Sequence, residues 1–321
     1  MSTVDAARTD RISVWRRRYH RKGYLYILPA FLLFAFMVVY PIVRSLYLSF
    51  FDYSIIEPDS MRFVAFQNYA NLWTKTANHL PLWNTFYFTI IFVPPFVAFS
   101  LVLAVMLHAV KRGSVLLRTM IFTPVVVSMA VGAVMWALFY NPQFGMAQTI
   151  LGAVASCLNG VWGWFGGGKL LVVPDAGMLG DPAWSMIAVA IMCYWNGVAV
   201  NVILYLVGLQ RIPDELYEAA VVDGAGAWKR FFHITLPLLK PTIYLVVLLS
   251  LIGAFKIFGQ PFIMTAGGPR DSTLTFVMRL YKLAFQYGKF QLGYASALAY
   301  SLAVVTFVAT LFLRRLNRPV E

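Results

Sequence analysis

Two groups of polar residues lie inside long apolar stretches of the chain. The first combines amides with aromatic side chains and consists of Tyr194, Trp195, Asn196, Gly197 and Asn201. The second surrounds a lysine and consists of Ser250, Phe255, Lys256 and Gln260. Polar residues inside apolar stretches are costly and therefore indicate function. Amides form hydrogen bonds with hydroxyl groups and aromatic rings pack on apolar ring faces, so both groups suit a polyhydroxylated solute.

A second interpretation of these residues is purely structural. Asn196 and Asn201 could instead bond neighbouring helices, and Lys256 could pair with another subunit or extend toward the membrane surface. The sequence leaves both interpretations open for each residue.

The remaining reactive side chains do not form a catalytic pattern. The histidines His20, His79, His108 and His233 are scattered, and the cysteines Cys157 and Cys193 fit neither a disulfide framework nor a metal-ligand spacing. A glycine-rich stretch at 163–169 lacks the Ser or Thr and the preceding strand of a phosphate-binding loop. We therefore expect no metal, no bound nucleotide and no enzymatic activity in this chain.

The elements that position the polar groups are membrane spans. The chain is 60% apolar and 12% charged, against about 25% charged in soluble domains. A helix that crosses a bilayer needs roughly 20 mostly apolar residues, and lipid admits only helices or closed barrels. The sequence predicts an all-α polytopic membrane protein with six spans, at 24–43, 83–108, 119–140, 184–209, 241–264 and 292–313.

The distribution of basic residues predicts the orientation of these spans. With the N-terminus in the cytoplasm, the inner segments hold 17 Lys and Arg residues and the outer segments hold 8. The net charge of +13 is then explained by cytoplasmic loops and anionic lipid headgroups, without nucleic acid. We expect a basic tail at 1–23, a membrane domain at 24–316 and a second tail at 317–321, with both tails cytoplasmic and the first helix uncleaved.

Two of the connections between the spans are unusual. The outer connection at 141–183 is long and rich in turn residues, which favours a functional or mobile loop. The inner connection at 210–240 carries acids as well as bases. Its Pro213 and early acids favour a helix start, and Gly224 and Gly226 favour a helix end. The sequence predicts two short helices with a bend, at the cytoplasmic face.

The inner connection also resembles a family signature. Glu218, Ala219 and Ala220 are followed at fixed spacing by Gly224, Ile234, Leu236 and Pro237, as in the EAA motif of binding-protein-dependent ABC importer permeases. Flanking segments, including 209–213, Asp223, 264–269 and 293–297, are similar to the carbohydrate-uptake branch of that family, of the maltose and glycerol-3-phosphate permease type. The resemblance covers about 24–316.

The resemblance implies a mechanism and a set of partners. The fold would be the transmembrane domain of a type I ABC importer, and the Glu218 helix would dock in a cytoplasmic ATPase. ATP and Mg²⁺ would be bound by two ATPase subunits, a homologous permease would line the other half of the pathway, and an extracytoplasmic binding protein would deliver the solute. The location would be the bacterial inner membrane.

The solute class has two candidates under this resemblance. The branch favours a carbohydrate, and the resembled spans contact solute within the membrane. Relatives often carry Gln near Lys256, and this departure hints at an anionic solute such as a glycerophosphate. A secondary transporter that works without ATP is the rival from another class, but none of the 13 acidic residues lies in a predicted span.

Overall fold

The computed structural model of the chain describes residues 24, 26–110, 113–164, 172–288 and 290–316. Helices make up most of this part, which confirms the predicted all-α class. Among the described residues, the one sheet is a short antiparallel hairpin of β1 (Phe51–Asp52) and β2 (Arg62–Phe63). Both predicted tails and most of the glycine-rich stretch 163–169 lie outside the described residues.

The helices are named in chain order. They are α1 (Tyr26–Leu48), α2 (Gln67–Thr74), α3 (His79–Ala109), α4 (Ser114–Val126), α5 (Met129–Phe139), α6 (Met146–Trp164), α7 (Pro182–Leu209), α8 (Asp214–Val222), α9 (Ala227–Leu238), α10 (Lys240–Phe255), α11 (Gly259–Thr265), α12 (Phe276–Phe285) and α13 (Leu292–Leu316).

Four of these helices are single elements with the length and apolar composition of a membrane span. They are α1, α3 (counted from Thr76), α7 and most of α13. Two bent pairs pass the same criterion, α4 with α5 at 97° and α9 with α10 at 68°. With each bent pair counted as one span, the described residues provide six, in agreement with the predicted number.

The third predicted span, 119–140, is not a single straight helix. The helix stops at Val126, Val127 takes an extended conformation, and α5 starts again after Ser128. The Ser128 hydroxyl accepts a hydrogen bond from the Val131 backbone N–H, which is the usual role of serine before a first helical turn. The hydropathy of the run gave no sign of this break, because both halves are apolar.

The fifth predicted span, 241–264, is also divided. Helix α10 ends at Phe255, and the helix resumes as α11 at Gly259. Pro261 has no backbone N–H to donate to the preceding turn, so an unbroken helix through this point would lose a hydrogen bond. On its N-terminal side the span begins earlier than predicted. Helix α9, which belongs to the inner connection, forms one half of the bent pair with α10.

The outer connection at 141–183 contains a helix that was not predicted. Helix α6 has 19 residues, none of them charged. Met146, Ile150, Val154 and Leu158 lie four residues apart and are all exposed in the single chain. Three glycines in this helix weaken its intrinsic helix propensity. Most of the turn residues that favoured a loop, at 166–168, Pro174 and Pro182, follow the helix in the sequence.

The core forms between α3 and α7, with α10 packed against α3. Phe88, Met186, Val202 and Tyr205 are completely or almost completely buried there. At one end of the bundle, the Ser185 and Ser272 hydroxyls lie 2.8 Å apart, which joins the start of α7 to the loop before α12. The other end of α7 leads into the connection at 210–240, so that connection lies at the opposite end of the bundle.

Candidate functional site

A cavity of about 800 Å³ lies between α3, α7, α10 and α11. Six of the nine residues predicted to meet solute line it, namely Asn196, Gly197, Asn201, Ser250, Lys256 and Gln260. The volume is within the range of small-molecule sites, about 300–1,000 Å³. The break between α10 and α11 supplies one side of this cavity.

Helix α3 contributes an aromatic wall that the sequence analysis missed. Phe88, Phe92 and Phe96 lie four residues apart on one helix face and line the cavity. Rings of Phe88 and Phe92 stack at 5.1 Å, and those of Phe92 and Phe96 at 4.7 Å. Their regular spacing is the signal that could have identified them.

Three of the predicted solute residues lie outside the cavity lining. The Tyr194 hydroxyl donates to the Ile91 carbonyl at 2.7 Å, and its ring stacks on Phe92 at 5.1 Å. Trp195 packs edge to face on Trp136 at 5.9 Å. Trp195 lies about 100° around the helix from Asn196, whereas Tyr194 lies near the face of Asn201 and is held against α3 by its ring and hydroxyl contacts.

Phe255 also points away from the cavity. It is buried and meets the Phe86 ring edge to face at 5.6 Å, within the cluster formed by α12 and α13. Its neighbour Lys256 is exposed and lines the cavity. The end of α10 therefore sends one residue into the core and the next into the cavity.

The two asparagines of the cavity both have hydrogen-bond partners. Asn196 Nδ2 donates to the carbonyls of Pro124 at 3.2 Å and Val127 at 3.4 Å, at the break between α4 and α5. Asn201 Nδ2 lies 3.4 Å from the Ser250 hydroxyl, across α7 and α10. The structural interpretation from the sequence therefore describes both asparagines, although each still lines the cavity.

Lys256 and Gln260 differ from the asparagines. Neither side chain has a hydrogen bond or ion pair with any described residue, and Lys256 is the one charged residue of the cavity lining. The backbone N–H of Lys256 bonds the carbonyls of Ile252 and Gly253, which places its side chain at the C-terminal end of α10. These two polar groups are available to a solute.

The second region is the helical pair α8 and α9 within the connection 210–240. This arrangement confirms the predicted two helices with a bend. Gly224 has φ +74, and the turn satisfies the last carbonyls of α8. The N–H of Ala225 bonds the Ala220 carbonyl at 2.8 Å, and the N–H of Gly224 bonds the Val221 carbonyl at 3.0 Å. This pattern is a Schellman motif, in which glycine avoids the strain of a left-handed residue.

Helix α8 presents its signature residues on an exposed surface. Glu218, Ala219 and Asp223 are exposed, and Ala220 is half-buried. Apolar side chains beside them are exposed too, with Val222 at 87% and Trp228 at 76%. A charged residue, small residues and exposed apolar side chains on α8 and at the start of α9 provide a surface that a second protein could cover.

The later signature residues attach the pair to the bundle. Ile234 and Leu236 pack partly buried against the main core, whereas Pro237 is exposed within α9. The Tyr217 hydroxyl lies 2.9 Å from the Thr235 hydroxyl and joins α8 to α9. No role for Tyr217 was predicted from the sequence, and its place one residue before Glu218 is the only signal for it.

The cavity and the exposed pair are connected through a single helix. Helix α9 turns by 68° into α10, and Leu239 at the bend is completely buried. Helix α10 has 16 residues and is therefore about 24 Å long. Its far end is Lys256. Among the described residues no group of three or more His, Cys, Asp or Glu could hold a metal ion.

Comparisons with known proteins agree with this arrangement. Residues 81–321 match the family model of the binding-protein-dependent transport system inner membrane component. The probable ABC transporter permease protein YurN of Bacillus subtilis (strain 168) is 35% identical over 90% of this chain and 93% of its own length. The lactose transport system permease protein LacF of Rhizobium radiobacter is 33% identical over 95% of this chain and 96% of its own length.

A solved structure shows the same fold. The bacterial ABC transporter involved in the import of the acidic polysaccharide alginate matches with a TM-score of 0.74 at 21% identity, over 96% of this chain and 99% of that chain. The family match covers most of the sequence, and both relatives align along nearly their whole length. The chain belongs to the family of binding-protein-dependent transport system inner membrane components, the permease subunits of ABC transporters.

Proposed function

We propose that this permease moves a carbohydrate into the cytoplasm, driven by ATP hydrolysis in separate subunits. The observation that carries the proposal is the exposed pair α8 and α9, joined through the bend at Leu239 to a helix whose other end lines a cavity. A docked ATPase that moves α8 would displace α10 with it. The cavity would then change its shape or its access to one side of the membrane.

The cavity supports a carbohydrate as the solute. Phenylalanines on α3 form an apolar side of the cavity, and the amide of Gln260 is free to bond hydroxyl groups. The relative LacF is a lactose transport permease, and its similarity extends over nearly the whole chain. A sugar ring has one polar edge and apolar faces, so it matches this combination of lining residues.

Four partners follow from the proposal. Two ABC ATPase subunits would dock on α8 at the cytoplasmic side and bind ATP and Mg²⁺. A homologous permease would complete the pathway, and an extracytoplasmic solute-binding protein would deliver the sugar to the opposite end. In this orientation both termini of the chain are cytoplasmic, as the distribution of basic residues indicates.

A pull-down from native membranes tests the docking of the ATPase. The wild-type permease, Glu218→Lys and Glu215→Lys are each solubilised in detergent and recovered through an affinity tag. Both variants reverse one exposed charge on α8, and Glu215 lies outside the EAA signature. We expect the ATPase subunits with wild type and Glu215→Lys, and a several-fold lower yield with Glu218→Lys.

The same pull-down can contradict the proposal. Absence of an ATPase from the wild-type sample, under conditions that preserve other ABC importers, would refute the proposed partnership. Equal recovery with both variants would refute the docking role of Glu218. Uptake of labelled saccharides by cells that carry the complete complex then tests the solute class.

A further inference from the structure

We propose that Lys256 binds the anionic group of an acidic saccharide, so that the solute is a sugar bearing a carboxylate, sulfonate or phosphate. The inference rests on the proposed function and names the substrate class of the same cavity. It depends on the position of Lys256, on the partners of the other lining residues and on the absence of a compensating charge in the described lining.

The position of Lys256 is set by the end of α10. Its backbone N–H closes the last turn through the carbonyls of Ile252 and Gly253. Carbonyls at a helix end carry partial negative charge, which favours an ammonium group nearby. The break in the fifth span therefore lowers the free energy of placing a charged lysine within the span, compared with an unbroken helix. The break also directs the lysine side chain into the cavity.

The polar groups around Lys256 cannot neutralise it. Asn196 is bonded to the carbonyls at the break between α4 and α5, and Asn201 is paired with Ser250. Gln260 is neutral. The other side chains of the described lining are uncharged, and none of the 13 acidic residues of the chain lies within a predicted span. Within the part of the chain that the structure describes, the positive charge therefore has no counter-charge.

An unpaired charge in a largely apolar lining is costly, so the cavity favours an occupant with the opposite charge. A carboxylate, sulfonate or phosphate can accept a charge-assisted hydrogen bond from the lysine ammonium, while the attached sugar ring lies against the apolar part of the lining. A neutral sugar would leave the charge uncompensated. The arrangement thus selects the anionic sugar over its neutral counterpart.

The test uses the complete complex, with its binding protein, in proteoliposomes loaded with ATP. Four probes are compared, with trigalacturonate, glucuronate and glucose 6-phosphate as acidic saccharides and maltotriose as a neutral one. We expect wild type to import at least one acidic probe. Lys256→Gln should lower that import by at least about tenfold, whereas Lys256→Arg should retain most of it.

Gln260→Leu is the matched control in the same lining, because it removes a free polar group without changing the charge. It should lower import of any transported probe without discriminating between acidic and neutral sugars. Recovery of the partner permease is measured for every variant, so that a defect in assembly is separated from a defect in recognition.

Three outcomes would overturn the inference. Import of maltotriose alone, unchanged by Lys256→Gln, would refute an acidic substrate and leave the carbohydrate importer standing. Loss of the partner permease with Lys256→Gln would show that an acid of that subunit pairs with the lysine. Failure of wild type to import any of the three acidic probes, with an assembled and ATP-hydrolysing complex, would refute the inference, and the uptake of labelled saccharides described above tests the carbohydrate function separately.

Discussion

At the scale of single residues, the exposed pair depends on the left-handed conformation of Gly224. Two glycines of the same turn offer a controlled comparison, because an added Cβ would meet open space at Gly224 and at Gly226 alike. Only Gly224 has a positive φ, at +74, while Gly226 has an ordinary extended conformation. The two positions therefore differ in backbone strain and not in crowding.

We expect Gly224→Ala to weaken ATPase docking and Gly226→Ala to leave it unchanged. A left-handed alanine costs about 1–2 kcal/mol, which corresponds to roughly a five- to thirtyfold loss in a binding equilibrium. The measurement is the amount of ATPase recovered with each variant, normalised to the permease in the membrane. Equal losses in both variants would show that the turn conformation is not the relevant property.

Some of the residues that line the cavity could be predicted from the sequence, and others could not. Asn196, Asn201, Lys256 and Gln260 stood out because they are polar within apolar runs, and the structure brings all four to one cavity. Phe255 could not be separated from Lys256, since only the end of α10 decides which of two adjacent side chains faces the core. The phenylalanines of α3 could not be recognised in this way, because an apolar side chain does not stand out within an apolar run.

At the scale of elements, the number of spans followed from hydropathy, but their breaks did not. A sliding average cannot distinguish one straight helix of 22 residues from two apolar pieces that meet at 97°. At the break between α4 and α5, Asn196 from another helix donates hydrogen bonds to the carbonyls of Pro124 and Val127. Such a partner is distant in sequence and leaves no local signal.

The contribution of Asn196 to the stability of the α4–α5 break can be tested by mutation. We expect Asn196→Leu to lower the thermal unfolding midpoint in detergent, because two carbonyls at the break lose a donor at about 0.5–1.5 kcal/mol for each hydrogen bond. Ser250→Ala serves as a control, since its hydroxyl has only a long 3.4 Å contact with Asn201. A larger loss with Ser250→Ala would contradict the role assigned to Asn196.

At the scale of the whole molecule, the two cysteines permit a test of orientation without foreign labels. Cys157 on α6 is exposed, whereas Cys193 in α7 is buried. The proposed topology places α6 outside the cell and α8 in the cytoplasm. A thiol reagent that cannot cross membranes should therefore react with the native protein in intact cells.

We expect a membrane-impermeant maleimide to label wild type in spheroplasts and to leave Cys157→Ser unlabelled. Adding Val222→Cys to the Cys157→Ser background places a thiol on the exposed end of α8. That variant should react only after the cells are opened. The reverse pattern, with Val222→Cys labelled first, would invert the proposed topology and with it the side on which the ATPase docks.

Helix α10 has a thermodynamic consequence that follows from its two ends. One end continues from the exposed pair and the other carries Lys256 into the cavity, so occupants at either end act on the same rigid element. Linkage then requires reciprocity at binding equilibrium, in which ATPase docking changes solute affinity by the same factor as bound solute changes the affinity for the ATPase. The permease alone and the assembled transporter therefore have different dissociation constants for the solute. The ratio of these two constants measures the coupling free energy that α10 transmits.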